Sequence, residues 1–280
     1  ITMARQTTVV AIASVGMTLV IVSGGIDLSV ASVVAFTTVV IAATLKAGFG
    51  SGVAVLAGLA AATAGGFVCG VLVGSARMAS FIVTLGAMSV LRGAAKGLAS
   101  EQKIDCDPRG LDALLSPASG WPIVPPGLWI AAAVGLLGAG VLTYTRFGRH
   151  VYAVGSNEAT ALVCGIDVAR VKIAVFALAG LLSGLAGLLE FSTLTVGDPT
   201  DSVGLELEVI AAVVVGGASL SGGEGSVLGS LIGAMLMTVI RTGCTFVGLH
   251  NWVQEIATGA IIVVAVAIDR LRQSHRNRGA

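Results

Sequence analysis

The sequence predicts an all-α protein, a polytopic transmembrane helical bundle of about 8–10 spans with broken or re-entrant helices. Three observations predict it. The 280 residues are 55% hydrophobic and only 11% charged, where soluble domains carry about 25% charged residues. The apolar runs approach the ~20 residues that cross a bilayer as a helix, without the ten-residue alternation of membrane strands. Glycine is abundant, at 39 residues, and small residues let membrane helices approach closely. The pairs Gly66/Gly70, Gly70/Gly74, Gly93/Gly97, Gly180/Gly184 and Gly229/Gly233 have the GxxxG spacing of such contacts. Residues 1–280 read as a single transmembrane domain.

The runs follow one another with clear punctuation. Residues 7–23 are apolar and break at Gly24-Gly25, 30–45 end at Lys46, and 53–74 close before Arg77. Residues 81–99 carry Arg92 and Lys96 near their end. These two either snorkel to the nearer interface or line a polar path. Residues 101–127 form a loop holding Asp105, Asp107, Arg109, Asp112 and every proline except Pro199. A span over 128–145 leads into a polar stretch, 146–172, and 171–189 crosses back. Residues 190–208 are polar, and 209–220 are apolar but short of a span, ending at Gly222, Gly223 and Gly225. Residues 227–240 and 253–268 complete the spans before a basic tail, 270–280. The first residue is Ile, and the expectation is that a further segment precedes it.

Orientation follows from basic residues, which stay on the cytoplasmic side. The tail and the 146–172 stretch hold four each, and Arg77 joins them. Lys46, Lys103, Arg109 and Arg241 fall on the other side, with Arg5 if the first run is a full span. That gives nine inside against four or five outside. The same count places Trp121, Trp129 and Trp252 near the outer surface and makes 101–127 extracytoplasmic. A re-entrant 209–220 run would reverse everything after it.

The 146–172 stretch has the punctuation of a short surface helix. Ser156 or Asn157 can cap it, Glu158 suits its first turn, and Gly165 can end it in a left-handed conformation. Asp167 then caps the helix that follows. A roughly two-turn helix at the membrane face, presenting Ala159, Leu162 and Val163, suits docking to another protein; the plainer reading is a positively charged connecting loop.

Two breaks share the pattern GGxxLS: Gly24, Gly25, Asp27 and Ser29 in the first, and Gly216, Gly217 and Ser219 in the second. Paired interrupted helices in the two halves of a transporter often mark its translocation path. A carboxylate such as Asp27 near a span break needs a task or a partner. Asp27 either supports the break or simply caps the next helix. Of the remaining carboxylates, Glu190 and Glu208 lie near the ends of spans.

Several classes are disfavoured. There is no HExxH, no GxSxG and no GxxxxGK[ST], so no familiar metalloprotease, hydrolase or nucleotide-hydrolysing motif is present. The net charge of +1 leaves no nucleic-acid footprint. Cys69, Cys106, Cys164 and Cys244 form no CxxC, and three scattered histidines lack ligand spacing. A transport subunit powered by a docked ATPase and an ion-coupled secondary transporter remain.

The run VGMTLVIVSGGIDLSVAS, residues 15–32, resembles the signature of the membrane permease subunits of bacterial ABC importers for monosaccharides, the ribose, xylose, arabinose and galactose class. RFGRHVYAVGSNEATALVCGIDVARVK, residues 146–172, is similar to that family's cytoplasmic coupling region. Glu190 with the later Pro199, and AAVVVGGASLSGGEGSVLGSLIGA, residues 211–234, are similar to its second half. Ala31 stands where that family commonly has Gly. The resemblance implies a fold like the vitamin B12-type importer permeases and a location in the bacterial plasma (inner) membrane. It implies a homodimer with a second permease copy, a cytoplasmic ABC ATPase that carries ATP and Mg, and an extracytoplasmic sugar-binding protein. The chain itself would hold no cofactor and would not be an enzyme. Coupling would fall to Gly155, Ser156, Asn157, Glu158, Ala159, Leu162 and Gly165. The path would fall to Gly24, Gly25, Asp27, Ser29, Glu190, Gly216, Gly217 and Ser219. Branched-chain amino-acid permeases are the related alternative.

Overall fold

Long apolar runs with few helix breakers become helices, and glycine, proline and polar clusters end them. The computed structural model describes residues 2–115 and 124–278. Trp121 and the basic side chains of the 270–280 tail lie outside what it describes. The helices are α1 (Thr2–Val22), α2 (Val30–Lys46), α3 (Ser51–Gly74), α4 (Ser80–Leu98), α5 (Pro126–Tyr144), α6 (Arg146–Ser156), α7 (Glu158–Val163), α8 (Val168–Leu194), α9 (Leu205–Val215), α10 (Val227–Phe246) and α11 (Asn251–Arg278). Two short strands, β1 (Ile104–Asp105) and β2 (Val196–Gly197), pair antiparallel. Among the described residues, six helices are long and apolar enough to cross a membrane: α1 from Arg5, α3, α4, α5, α8 and α10. The helix α2 and the 252–267 part of α11 are shorter apolar segments.

The bundle has two distinct ends. At one, β1 pairs with β2, Ile104 opposite Gly197, and Lys103 forms an ion pair with Asp198 at 2.9 Å. Burial pushes the Asp198 carboxyl up, but bonds from Thr200 and Lys103 outweigh it and hold the group below its ordinary value. Arg109 Nη1 donates to the carbonyls of Gly48 and Phe49, fastening the α2–α3 turn. Arg92 Nη1 donates to the carbonyls of Pro199 (3.0 Å) and Asp201 (2.7 Å). The Arg92 side chain therefore reaches towards this end and anchors the α8–α9 loop there, while Lys96 is exposed.

The opposite end gathers the C-termini of α1 and α3, the start of α8, and α6–α7. It is reached by close helix packing. A Cβ on Gly66 would strike the Phe176 carbonyl, one on Gly70 would lie 2.8 Å from Ile173 Cα, and one on Gly74 would lie 2.7 Å from the Ala169 carbonyl. From α8, a Cβ on Gly180 would sit 2.6 Å from the Ala62 carbonyl. The Gly66/Gly70/Gly74 stripe and Gly180 thus set the α3–α8 contact at backbone distance, and Gly229 and Gly233 do the same for α10 against α9. Gly93 and Gly97 do not: nothing lies within 4 Å of a Cβ at either. Their GxxxG spacing is incidental to packing.

The short apolar run forms α9, whose 11 residues extend about 16 Å, half a bilayer core. It starts beside the Arg92-bound loop, and residues 216–226 carry the chain on to the other end. Non-helical backbone thus completes the passage of this stretch from one end of the bundle to the other. Such backbone is tolerated because it is packed in protein, with Ala218 and Ser219 both 2% exposed.

Gly70→Val should lower stability by about 1–3 kcal/mol or more through overpacking against α8. Gly93→Val should change it by less than ~0.5 kcal/mol, as for other unpacked positions. Melting temperatures of the two purified variants in one detergent check this pair. Equal losses would contradict the assigned packing.

Candidate functional site

The polar stretch folds as two helices instead of one. Thr145 caps α6, its hydroxyl accepting from the Gly148 amide at 3.1 Å. Gly148, Val151 and Val154 form the buried face of α6, a three-residue spacing that a reading centred on charge passes over. Ser156 ends α6 and is not the cap of the next helix. Asn157 is that cap, its Oδ1 accepting from the Thr160 amide at 2.9 Å. The helix α7 is shorter than the expected Ser156-to-Gly165 span. It closes as anticipated: Gly165 takes φ +80°, with Gly165 N donating to Leu162 O and Ile166 N to Ala161 O, both at 3.0 Å. Asp167 caps α8 through the Arg170 amide at 3.1 Å. Glu158 pairs with Lys172 at 2.6 Å, joining α7 to the first turns of α8. Ala159, Leu162 and Val163 are exposed, Val163 to 89%.

The end of α6 rests against both helix breaks. A Cβ on Gly155 would strike the Val22 carbonyl and lie 2.7 Å from the Gly223 amide. That amide donates to the Val22 carbonyl at 2.9 Å. A Cβ on Gly222 would sit 2.6 Å from the Gly155 carbonyl and 2.8 Å from Gly24 Cα, and one on Gly223 would sit 2.8 Å from Ser156 Cα. Tyr152 adds a side-chain tie, its hydroxyl donating to the Gly225 carbonyl at 2.6 Å. Three backbones therefore meet where only glycine fits: the end of α1, the end of α6 and the α9–α10 loop. Gly155 and Gly24, assigned separate roles from the sequence, are in one place. Val22, Tyr152, Gly222 and Gly223 complete it, and of these only the 222–225 glycine cluster left a signal in the sequence.

The two breaks end their helices alike, but in shifted register. Gly24 takes φ +81°, with Gly24 N donating to Ile21 O and Gly25 N to Val20 O. Gly217 takes φ +95°, with Gly217 N donating to Val214 O and Ala218 N to Val213 O. Gly24 thus corresponds to Gly217, one residue off the GGxxLS match, which paired it with Gly216. Gly216 instead packs its backbone against Gly229 and Ser230 of α10. The first break reaches α2 at Val30, whereas the second runs on to Ser226, which caps α10 through Gly229 at 3.0 Å.

Asp27 is buried at 5% exposure, and its bonds are local: Oδ1 accepts from the amide (2.8 Å) and hydroxyl (2.6 Å) of Ser29. The preceding residue is held by α4, Ile26 N donating to Ser80 Oγ at 3.1 Å and Thr84 Oγ1 to Ile26 O at 3.2 Å. Beside this break a cavity of about 440 Å³ is lined by Ser23, Gly24, Gly25, Arg77, Glu158 and Lys172 among others. Glu190 belongs elsewhere. It lies on α8 near β2, at the opposite end from the glycine breaks, so it does not join Gly24, Asp27 or Gly217 in one site. Among the described residues no three His, Cys, Asp or Glu side chains gather as metal ligands.

Residues 1–266 match the family model described as branched-chain amino acid transport system / permease component. The chain belongs to this permease family. Among curated relatives, the ribose import permease RbsC of Escherichia coli K12 is 41% identical, over 96% of this chain and 84% of its own. RbsC of Bacillus subtilis is 36% identical over the same shares. The L-arabinose ABC transporter permease AraH of Azospirillum brasilense is 38% identical, over 94% of this chain and 77% of its own. No solved structure gives a significant match. The chain is therefore a polytopic helical membrane permease, a transport component and not an enzyme, and its six long apolar helices suit the inner membrane where such permeases reside.

The local bonds of Asp27 separate two substitutions. Asp27→Asn keeps an acceptor for Ser29 and should fold with an unchanged melting temperature. Asp27→Ala should lose about 1–2 kcal/mol. Thermal unfolding of both variants checks this, and equal losses would show that the charge itself holds the break.

Proposed function

We propose that this chain forms the translocation path of an ATP-driven monosaccharide importer and that α7 receives the motion of its ATPase. Its relatives carry the sugar part of this reading, because the curated ribose and arabinose permeases match nearly the whole chain. The amino-acid wording of the family description is broader than these relatives. The observation that carries the coupling part is the backbone junction at Gly155, which ties an exposed helix to both helix breaks.

The basic residues at the α6–α7 end favour a cytoplasmic position for it, where an ATPase is available. The exposed Ala159, Leu162 and Val163 give α7 a small apolar face, and the Glu158–Lys172 pair fixes it to α8. An extracytoplasmic substrate-binding protein then docks at the β1–β2 end, and a second copy of the chain completes the path. An ion-coupled mechanism has less support. The breaks offer one buried carboxylate, Asp27, and it is occupied by Ser29.

Ala159→Arg places bulk and charge on the exposed face of α7 without touching the core. The permease should fold with a similar melting temperature. Its affinity for the ATPase should fall by on the order of 2 kcal/mol, roughly thirtyfold, or its ATP hydrolysis should proceed without sugar uptake. Co-purification and the ratio of uptake to hydrolysis measure the two effects. Normal uptake at a normal ratio would make α7 a mere connector.

A further inference from the structure

The turn between α3 and α4, residues 75–79, meets the first helix break and the start of α8 around the cavity of about 440 Å³. That volume lies within the range of small-molecule sites. Arg77, Ser80, Glu158 and Lys172 give the cavity a polar side, and Met78 and Phe81 belong to an apolar one. The turn joins two helices long and apolar enough to cross a membrane, so the cavity lies at the bilayer surface.

The polar side has donors to spare. The Arg77 side chain forms no ion pair or hydrogen bond among the described residues. Its backbone sits at φ +54°, where any side chain carries a conformational cost. The Lys172 ammonium donates to Glu158 at 2.6 Å and keeps two further protons. Ser80 Oγ accepts from the Ile26 amide at 3.1 Å, and its own proton has no acceptor among the described residues. Glu158 is the one acid among the described lining residues, and Lys172 already balances it. The charge of Arg77 is left unbalanced.

The apolar side decides what kind of anion fits. Met78 is 45% and Phe81 50% exposed, and Leu85, one turn further along α4, is 41% exposed. The apolar wall therefore continues out of the cavity along a helix that crosses the bilayer. A small free anion would satisfy Arg77 and leave this wall bare. A phosphodiester carrying apolar chains meets both sides. Its phosphate accepts from the Arg77 fork, from Ser80 and from Lys172, while its chains lie along Phe81 and Leu85. A zwitterionic lipid brings an ammonium as well, which Arg77 and Lys172 repel.

We infer that this cavity binds the headgroup of an anionic phospholipid, with Arg77 as the principal contact. The inference needs only the membrane-spanning fold and not the sugar-import reading. The bound phosphate stands beside the Glu158–Lys172 pair, so the lipid becomes part of the mounting of α7.

The full permease in detergent is titrated with dioleoyl-phosphatidylglycerol and, separately, with dioleoyl-phosphatidylcholine, and bound lipid is counted by native mass spectrometry. The wild type should hold one phosphatidylglycerol per chain, at least about fivefold more tightly than phosphatidylcholine, the weight of one basic residue facing an anionic lipid. Arg77→Gln should remove that preference at an unchanged melting temperature, since the Arg77 side chain bonds nothing else in the described chain. Phe81→Glu, at an exposed position, should remove it by repulsion and serves as the second variant if Arg77→Gln misfolds. Arg149→Gln, which removes an exposed cation outside the cavity lining, should keep it. A preference that survives both cavity variants, or that falls equally in Arg149→Gln, overturns the site. Glycerol 1-phosphate should not displace the lipid; displacement at equal concentration would assign the cavity to a free phosphate and overturn the proposal. Loss of the bound phosphatidylglycerol when the ATPase is added would give the cavity to that subunit, with the same consequence.

Discussion

Where α1 stops, the Val22 carbonyl has no helical donor, and it finds one in the Gly223 amide 2.9 Å away. An unsatisfied backbone group inside a membrane protein costs several kcal/mol, so this bond is one that the fold must make. Making it brings the α9–α10 loop against α1. The end of α6 lies in the same corner, close enough that any side chain at Gly155 would collide with both partners. The rest of the α6–α7 end follows from that contact. The exposed α7 projects from a base fixed to two helix breaks, and the cavity lined by Arg77, Glu158 and Lys172 opens beside it.

The two ends of the bundle are built from different chemistry. At the glycine junction, specificity comes from backbone approach, to which the Tyr152–Gly225 bond adds a side-chain tie. At the β1–β2 end, it comes from long charged side chains reaching across loops: Lys103 to Asp198, Arg109 to the α2–α3 turn, Arg92 to the α8–α9 loop and Arg241 to Glu208. Backbone contacts of the first kind have little freedom to slide and move as a block. Side-chain contacts of the second kind can exchange partners. That difference fits an end that transmits force and an end that handles a polar cargo.

Much of this architecture was legible in the residues. The apolar runs place α2, α3, α4 and α5 to within about two residues, whereas α8 runs on to Leu194 and α10 continues through Arg241 to Phe246, past the ends that their apolar runs suggest. Asn157, Gly165 and Asp167 were readable as caps because capping acts locally. What depended on distant partners was not. Gly66 and Gly93 look alike in sequence, yet only Gly66 meets another helix, since the orientation of α3 and α4 is set by their neighbours. The GGxxLS match aligned letters, whereas the left-handed residue in each break is set by where the preceding helix ends, which moved the correspondence to Gly24 and Gly217. Glu190 fitted the pore by residue type, but its position along α8 puts it at the far end. The buried face of α6 was hidden by the charge around it.

The central claim is that α7 and the α9–α10 loop move together because they share the Gly155 junction. The most direct measurement is the distance between spin labels at Val163→Cys and Glu224→Cys, in a chain lacking its native cysteines and assembled with its ATPase. A second pair, Val163→Cys with Phe49→Cys, reports movement relative to the opposite end. On ATP binding the Val163–Glu224 distance should change by less than ~2 Å, within the range of small helix shifts, while the Val163–Phe49 distance changes by more. A Val163–Glu224 distance that changes as much as the second pair, in a transporter that still couples hydrolysis to uptake, would contradict the account.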